Sequence, residues 1–423
     1  MSLQTLTQKI LSAKVGRDVR EGEIIFPEPD LIVVHDWYSA NAGRTLRQFG
    51  VERLYAPDKV MFVTDHEPIA VSAESAAKQA EIRDIARQFA IGHHFDVGRG
   101  GHGHLFPVEA GFVTPGMFVE AYDTHVPNYG AVGALGFPML NEIVEVMALG
   151  SVWIRVPATI RIRLRGRLTP GVLIRDFAQK LIADLDADLV NYTVVEFSGP
   201  AMEHISVDER FTLCNTPIEI GAKSAIAEPD DVVREYLSER VQCDIDLPRS
   251  DADAPFVHAA EYDLTTIEPY VAVPPIPDRV VPISAVAGRP VDHAFVGSCA
   301  SGSLNDLREA ARYLKGRRID PRVRLFITPG TQAILRAAIA QGLMDIFSCA
   351  GAIITAPGCG PCAGGRIGAL GRGEVSINTG TRNDPGRLGA RDSEIYLASP
   401  ATVAVSAITG RITDPREFAR GTS

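Results

Sequence analysis

Apolar residues recur along this chain in two rhythms. In Thr159–Gly166, TIRIRLRG, they alternate with polar and charged residues at period two, the pattern of a half-buried strand. Short unbroken apolar runs at Leu31–Val34, Val60–Thr64 and His293–Ser298 predict buried strands instead. Past residue 303 the period lengthens. Leu304, Leu307, Ala311 and Leu314 share one helical face behind Ser303 and Asp306, a capping-box-like start. Val323–Ile327 then reads as a strand running into the Pro329-Gly330 turn, Thr331–Gln341 as a helix, and Ala352–Thr355 as a third strand. Two successive βαβ units around a parallel sheet follow, with loops on its carboxyl edge, where open α/β sheets hold ligands. Ser399–Gly410, SPATVAVSAITG, predicts an apolar helix with a Ser cap, Pro in its first turn and a closing Gly.

Proline punctuates this pattern. Glu268–Ser284 contains Pro269, Pro274, Pro275, Pro277 and Pro282, which disfavour helix interiors and central strands, so it reads as an interdomain connection. A weaker break lies near Pro157. At about 150 residues per domain, 423 residues suggest two to three domains, and the breaks divide the chain into 1–157, 158–283 and 284–423.

Charge narrows the class of partner. With 42 Lys and Arg against 52 Asp and Glu, the net charge is −10, and no basic run offers the footprint that a nucleic-acid backbone needs. The most apolar stretch, Val132–Val156, is interrupted by Asn141, Glu142 and Glu145, so no membrane span is expected. Gln4, Gln8 and Lys9 stand where a signal peptide would be apolar. A cytoplasmic chain is expected.

Three of the six cysteines sit in Gly-rich turns. Cys299 follows the first of the later strands in VGSCASGS, and Cys359 and Cys362 follow the third in APGCGPCAGG. The three-residue step lets two thiolates point at one centre, and Cys299 joins them if the third strand lies near the first. Soft thiolates suit zinc or an iron–sulfur cluster, and a CxxC pair also serves redox chemistry; spacing leaves all three open. A [4Fe–4S] cluster held by three cysteines would leave one iron open as a Lewis acid. Cys214, Cys243 and Cys349 lack partnered spacing and read as buried small apolar residues.

The stretches VGSCASG, APGCGPCAGG and TRNDPGRLGARDSEIYLASPATVAVSAITGRITDP resemble the cluster and substrate signatures of the aconitase family. TLTQKILSAKVGRDVREGEII, PDKVMFVTDHEP and VTPGMFVEAYDTHVPNYGAVGALG resemble its opening and middle. The likeness is greatest to the large subunits of the 3-isopropylmalate dehydratase and homoaconitase branch. It implies three α/β domains around a [4Fe–4S] cluster held by Cys299, Cys359 and Cys362. The family's mobile fourth domain is absent from this sequence, so a small partner subunit is expected to supply it, together with the catalytic base. The implied activity is that of a hydro-lyase or isomerase that dehydrates and rehydrates a hydroxy di- or tricarboxylic acid. A methylated malate or maleate is the rival substrate, and a non-catalytic zinc- or cluster-binding protein is the rival of another class.

Asp65-His66 ends the Val60–Thr64 run. A carboxylate beside an imidazole favours a proton donor, although a solvated turn fits the pair too. The resemblance gives the pair the task of protonating the departing hydroxyl. Asp123-Thr124-His125 stands where relatives carry Asp-Ser-His. The resemblance places Asp123 and His125 in the hydrogen-bond network around water and substrate, and Thr124 near a substrate carboxylate. In FDVGRGGHGHLFPVEAG, counting back from Gly111 makes His104 the site histidine; counting forward from Phe95 leaves one extra residue and keeps His102 in contention. Arg382 and Arg387, in TRNDPGR, have the chemistry for bidentate carboxylate binding, with Thr381 where relatives carry Asn. After Leu31–Val34 comes His35-Asp36, shared with relatives. Trp37 and Tyr38 replace small residues there and read as an aromatic pair packed under a loop; if the loop instead faces the active site, the two rings reshape it.

Overall fold

The computed structural model describes residues 3–419. The chain divides into two compact units, each drawn from two stretches of sequence: residues up to Leu164 with Ala187–Tyr262, and Arg165–Asp186 with residues from Asp263 onward.

In the first unit, β1 (Leu31–His35), β2 (Val60–Val63), β3 (His93–Phe95), β4 (Phe118–Tyr122) and β5 (Leu135–Met139) form one sheet in the order β3-β2-β1-β4-β5. Every pairing is parallel. The unbroken apolar runs arise because both faces are covered. Ile32, Val34 and Phe62 pack with Leu46 of α1 (Asp36–Gln48) and Ile82 and Ile85 of α2 (Ala73–Gln88). Leu31, Val33, Met61 and Val63 pack instead with Val207, Phe211 and Leu237. The same unit carries a second sheet of β6 (Thr159–Arg165), β7 (Val194–Ser198), β8 (Ser224–Ala227) and β9 (His258–Asp263), ordered β8-β7-β6-β9. The last residues of β6 and β9 belong to the second unit. The second half of β6 alternates between buried and exposed positions, as its period-two sequence requires.

The second unit contains a seven-stranded sheet: β10 (Tyr270–Ala272), β11 (Val280–Pro282), β12 (His293–Val296), β13 (Arg324–Ile327), β14 (Ile353–Ile354), β15 (Val375–Asn378) and β16 (Glu394–Leu397), in the order β11-β10-β16-β15-β12-β13-β14. β12 through β16 pair in parallel, so the two βαβ units read from the sequence are present. Ser303 opens its helix with both halves of a capping box. The expected helix at 331–341 covers Gln332–Ala340, and left-handed Gly342 turns the chain into a second helix, Leu343–Ala350. Pro400–Thr409 is the buried apolar helix that its sequence predicts, but Ser399 Oγ meets Thr402 Oγ1 at 3.1 Å instead of capping a backbone N–H.

The Pro-rich segment departs from expectation. It supplies β10 and β11, an antiparallel pair at the sheet's edge, with Pro274, Pro275 and Pro277 in the turn between them. Proline is tolerated because an edge strand has N–H groups that owe no ladder bond. The second unit also takes α3 (Ile174–Asp184), whose buried polar side chains bond to this sheet's strands and loops. Arg175 Nη2 donates to Gly380 O at 2.5 Å, Gln179 Nε2 to Leu397 O at 2.7 Å, and Asp176 Oδ1 accepts the Tyr270 N–H at 3.2 Å. No single helix among the described residues is long and apolar enough to cross a membrane.

Numbered along the chain, the parallel strands β1 to β5 and β12 to β16 follow the same order, 3-2-1-4-5. In each, the first and fourth strands are neighbours whose connections leave in opposite directions, the switch point at which such sheets bind ligands.

Candidate active site

In the first unit, polar residues crowd the carboxyl edge around that switch point. β1 runs into His35-Asp36, β2 into Asp65-His66, β4 into Asp123-Thr124-His125, and the chain after β3 adds His102 and His104. Asp36 accepts the backbone N–H groups of Asp65 (3.4 Å), His66 (3.0 Å) and Glu67 (2.8 Å), fixing the loop after β2 against the start of α1. Asp65 is fully buried. Its Oδ2 accepts from His35 Nδ1 (2.9 Å) and the Gly103 N–H (2.8 Å), and its Oδ1 pairs with His66 Nδ1 (2.7 Å). Burial by itself would raise the Asp65 pKa, but His35 and His66 hold it well below the usual carboxylate range. An ionised carboxylate only accepts, so both imidazoles donate from Nδ1.

His66 Nε2 then lies 3.2 Å from Asp123 Oδ2. Asp123 also faces His104 Nε2 at 3.6 Å and His125 Nδ1 at 3.7 Å. Burial works upward on its pKa, and His104, His125 and His66 bring it well below the ordinary value. Thr124 is exposed, with Oγ1 3.2 Å from Asp123 Oδ1 and 3.3 Å from His125 Nδ1.

The structure seats both contending histidines in the network. His102 Nδ1 accepts the His104 N–H at 3.3 Å and lies 3.5 Å from Asp65 Oδ2. The His104 ring packs 4.4 Å from that of His35. Burial drives the His102 pKa well below its usual value; burial first and His35 second lower that of His104 to about 4. Both rings are therefore held in the neutral form; His102 Nδ1 accepts a hydrogen bond, whereas the ring nitrogens of His104 have no hydrogen-bond partner among the described residues. The glycine between them is required, because a Cβ on Gly103 would collide with the His35 ring. Its carbonyl accepts from Tyr129 Oη at 2.6 Å.

Sequence reasoning missed Glu219, whose Oε1 accepts from His125 Nε2 at 2.7 Å. It comes from a short turn 94 residues away, with no spacing to signal it. The aromatic pair after Asp36 separates rather than packing together. Trp37 lies against the His66 ring (4.3 Å, tilted 36°), whereas Tyr38 stacks on Tyr122 (3.9 Å, 4°). Successive residues of a helix point about 100° apart, so neighbours in α1 face different partners. Ligand atoms are dense here: one each from His35, His66 and Asp123 lie within 4.8 Å of one another, as do those of His104, Asp123 and His125.

In the second unit, Cys299, Cys359 and Cys362 are all buried, and no disulfide joins any of the six cysteines. Cys214 is buried as expected, but Cys243 and Cys349 are exposed, their segments lying at the surface. β13 lies between the strands that precede Cys299 and the CxxC, so those strands are not adjacent. The contacts that bring these segments toward one another are made by the loops. Ser298, a non-glycine residue at φ 77°, turns the chain after β12 and donates from Oγ to Thr379 O at 2.9 Å. Thr328 Oγ1, at the end of β13, lies 2.6 Å from Thr355 Oγ1, and a Cβ on Gly360 would strike Thr328. The CxxC turn thus folds back over β13 until Cys362 Sγ lies 3.8 Å from where a Cβ of Gly380, in the loop after β15, would be. Arg387 Nη2 lies 3.9 Å from the same sulfur. Arg382 is exposed and bonds Asp384 through Nε at 2.9 Å.

The aconitase family (aconitate hydratase) model matches residues 8–410. The chain belongs to the aconitase family. It is 37% identical over 416 residues to the 3-isopropylmalate dehydratase large subunit 1 of Methanopyrus kandleri, covering 98% of this chain and 99% of that one. To the 3-isopropylmalate dehydratase large subunit of Moorella thermoacetica it is 38% identical over 418 residues, with the same coverage. To large subunit 1 of Pyrococcus furiosus it is 38% identical over 424 residues, covering 99% and 100%. The crystal structure of Thermococcus kodakaraensis aconitase X (holo-form) is similar over 89% of each chain at 14% identity and a TM-score of 0.49, too distant to add to the argument. As a member of the aconitase family the chain is a hydro-lyase.

Aconitase-family proteins bind an iron–sulfur cluster, and the second unit's donor set fits one. Three buried thiols, none in a disulfide, lie in the segments that follow β12 and β14 of one sheet. Nearby, Ser301 Oγ and Thr381 Oγ1 are buried without hydrogen-bond partners among the described residues, in the segments after β12 and β15. Buried hydroxyls in that state suit a bound group that accepts hydrogen bonds.

Proposed function

We propose that this chain is the large, catalytic subunit of a two-chain iron–sulfur hydro-lyase that dehydrates and rehydrates a hydroxy di- or tricarboxylic acid, in the class of the 3-isopropylmalate that its relatives' names specify. One observation carries the reading: His66 has a carboxylate at each ring nitrogen, the buried Asp65 at 2.7 Å and the partly exposed Asp123 at 3.2 Å. An imidazole so placed can hold a proton on both nitrogens and release one to a leaving hydroxide.

Asp65 orients His66 and His35 through their Nδ1 atoms. Asp123 keeps the His66 Nε2 proton in place until it moves, and His104 and His125 hold Asp123 in turn. Neutral His104 faces Asp123 without adding positive charge beside His66. Thr124 offers a hydroxyl to a substrate carboxylate. Arg382 and Arg387 bind carboxylates, Arg382 by exchanging Asp384 for substrate. Cys299, Cys359 and Cys362 would hold a [4Fe–4S] cluster, which when bound supplies a Lewis acid for a substrate oxygen. A small subunit supplies the base and the closure that excludes water.

The test is anaerobic assembly with candidate small subunits. Turnover of 3-isopropylmalate or a related hydroxy acid should rise steeply and saturate as the partner is titrated in. Full activity from this chain without a second polypeptide would count against the two-chain reading.

A further inference from the structure

His66 is enclosed on more sides than proton transfer requires. Asp65 and Asp123 take its two nitrogens, and His35 meets it edge-on, with ring centroids 5.4 Å apart at 89°. Trp37 lies against the ring at 4.3 Å. The indole is half-buried, so it borders both the network and the space outside it.

Its position is fixed from several directions. Trp37 is the second residue of α1, directly after Asp36, which is bonded to three backbone N–H groups of the His66 loop. On its other side Tyr38 stacks almost flat on Tyr122, the residue before Asp123. One short stretch, residues 36–38, therefore ties the loop that carries His66 to the strand end that carries Asp123, with the indole between those two anchors. A side chain held this way forms a rigid wall. Hydrogen bonding does not need so large an apolar group there, because the nitrogens of His66 face Asp65 and Asp123.

We propose that Trp37 is a wall that restricts the size of the alkyl substituent on the hydroxy diacid, favouring one smaller than isopropyl. The proposal rests on the reading of His66 as the proton donor. A hydroxyl presented to His66 Nε2 brings its carbon, and whatever that carbon's neighbour carries, up to the indole. A substituent that meets a fixed ring must either displace it or hold the hydroxyl away from the acid. Each methylene that a pocket accepts or rejects changes kcat/KM about 10- to 200-fold, so the two carbons by which isopropyl exceeds methyl give ample discrimination.

The experiment compares the assembled two-chain enzyme on 3-methylmalate and 3-isopropylmalate, with wild type, Trp37→Ala, Trp37→Phe and His66→Ala in parallel. Wild type should prefer 3-methylmalate. Trp37→Ala should shift the ratio of kcat/KM values toward 3-isopropylmalate by about 10-fold or more, and Trp37→Phe by less. A ratio unchanged within about twofold in Trp37→Ala, both rates falling together, would reduce Trp37 to a packing residue and overturn the proposal. His66→Ala separates the two ideas: if it turns over at wild-type rates, the proton-donor reading fails, and the ratio in Trp37→Ala still decides the wall. Should Trp37→Ala not fold, fluorescence decides. Trp37 and Trp153 are the two tryptophans, so Trp153→Phe isolates the emission of Trp37. That emission should change more on adding 3-methylmalate than 3-isopropylmalate; indifference to both would overturn the proposal.

Discussion

The five parallel strands of the first unit and those of the second follow one order, but they hold their chemistry in different ways. In the first, side chains hold side chains: Asp65 aims two histidines, Asp123 faces three, and Glu219 reaches in from 94 residues away. In the second, the cysteine loops are set mainly by backbone and small hydroxyl contacts, through Ser298, Thr328, Gly360 and Gly380. On the proposed function, the difference follows from what each edge handles. A proton needs groups that fix one another's protonation state, whereas soft thiolates need loops that approach closely.

Removing a cysteine should separate the two most sharply. Cys299→Ser, Cys359→Ser or Cys362→Ser should take anaerobically purified protein from about four irons per chain to nearly none and abolish turnover, while circular dichroism stays close to wild type. Stoichiometric zinc in colourless, active wild-type protein would break the assignment. The next effect belongs to the first unit. His66→Ala should keep its iron and lower kcat about 10²- to 10⁴-fold, measured in the assembled enzyme.

Smaller effects test how each edge is held. His104 titrates near 6.5 in an unfolded chain and at about 4 in the fold, so between those values the unfolded state binds more protons. Its contribution to stability should be complete above about pH 6.5 and be lost as pH falls through 4, by about 3 kcal/mol in total. Urea unfolding across that range should show the loss, and His104→Asn should lack that share of it. Gly103→Ala should destabilise the first unit by about 1–3 kcal/mol, because the new methyl group has to displace the His35 ring, yet leave iron content unchanged. Gly360→Ala should do the reverse, impairing iron retention by forcing the CxxC turn off Thr328. If each glycine affected both readouts alike, the contrast between the two edges would fail.

Much of the scaffold was legible in the sequence because its signals are local. The β6 alternation, the capping box at Ser303 and the runs that became β1, β2 and β12 depend on residues a few positions apart. Asp65-His66 was legible as a site only through the family resemblance, since the residues alone fit a solvated turn, and the spacing of the cysteine turns left cluster, zinc and dithiol open. Glu219 and the anchoring by Asp36 were not legible, since each acts across tertiary contacts that leave no periodic trace. The Pro-rich segment misled because proline excludes a central strand but not an edge one, and local composition does not say which. Trp37 and Tyr38 looked alike as neighbouring aromatics, and only helix geometry separates them.

Helix α3 has a consequence for how the protein is made. It lies within the first unit's stretch of sequence, yet Arg175 and Gln179 bond to carbonyls 205 and 218 residues further on. At about 5–20 residues per second, the ribosome needs roughly 10 to 40 seconds to deliver those partners. Throughout that interval an apolar helix face, with a guanidinium destined for burial, waits in solvent beside a half-finished chain. The native partners of α3 are therefore among the last parts of the chain to be made, and the second unit cannot close around this helix until they emerge.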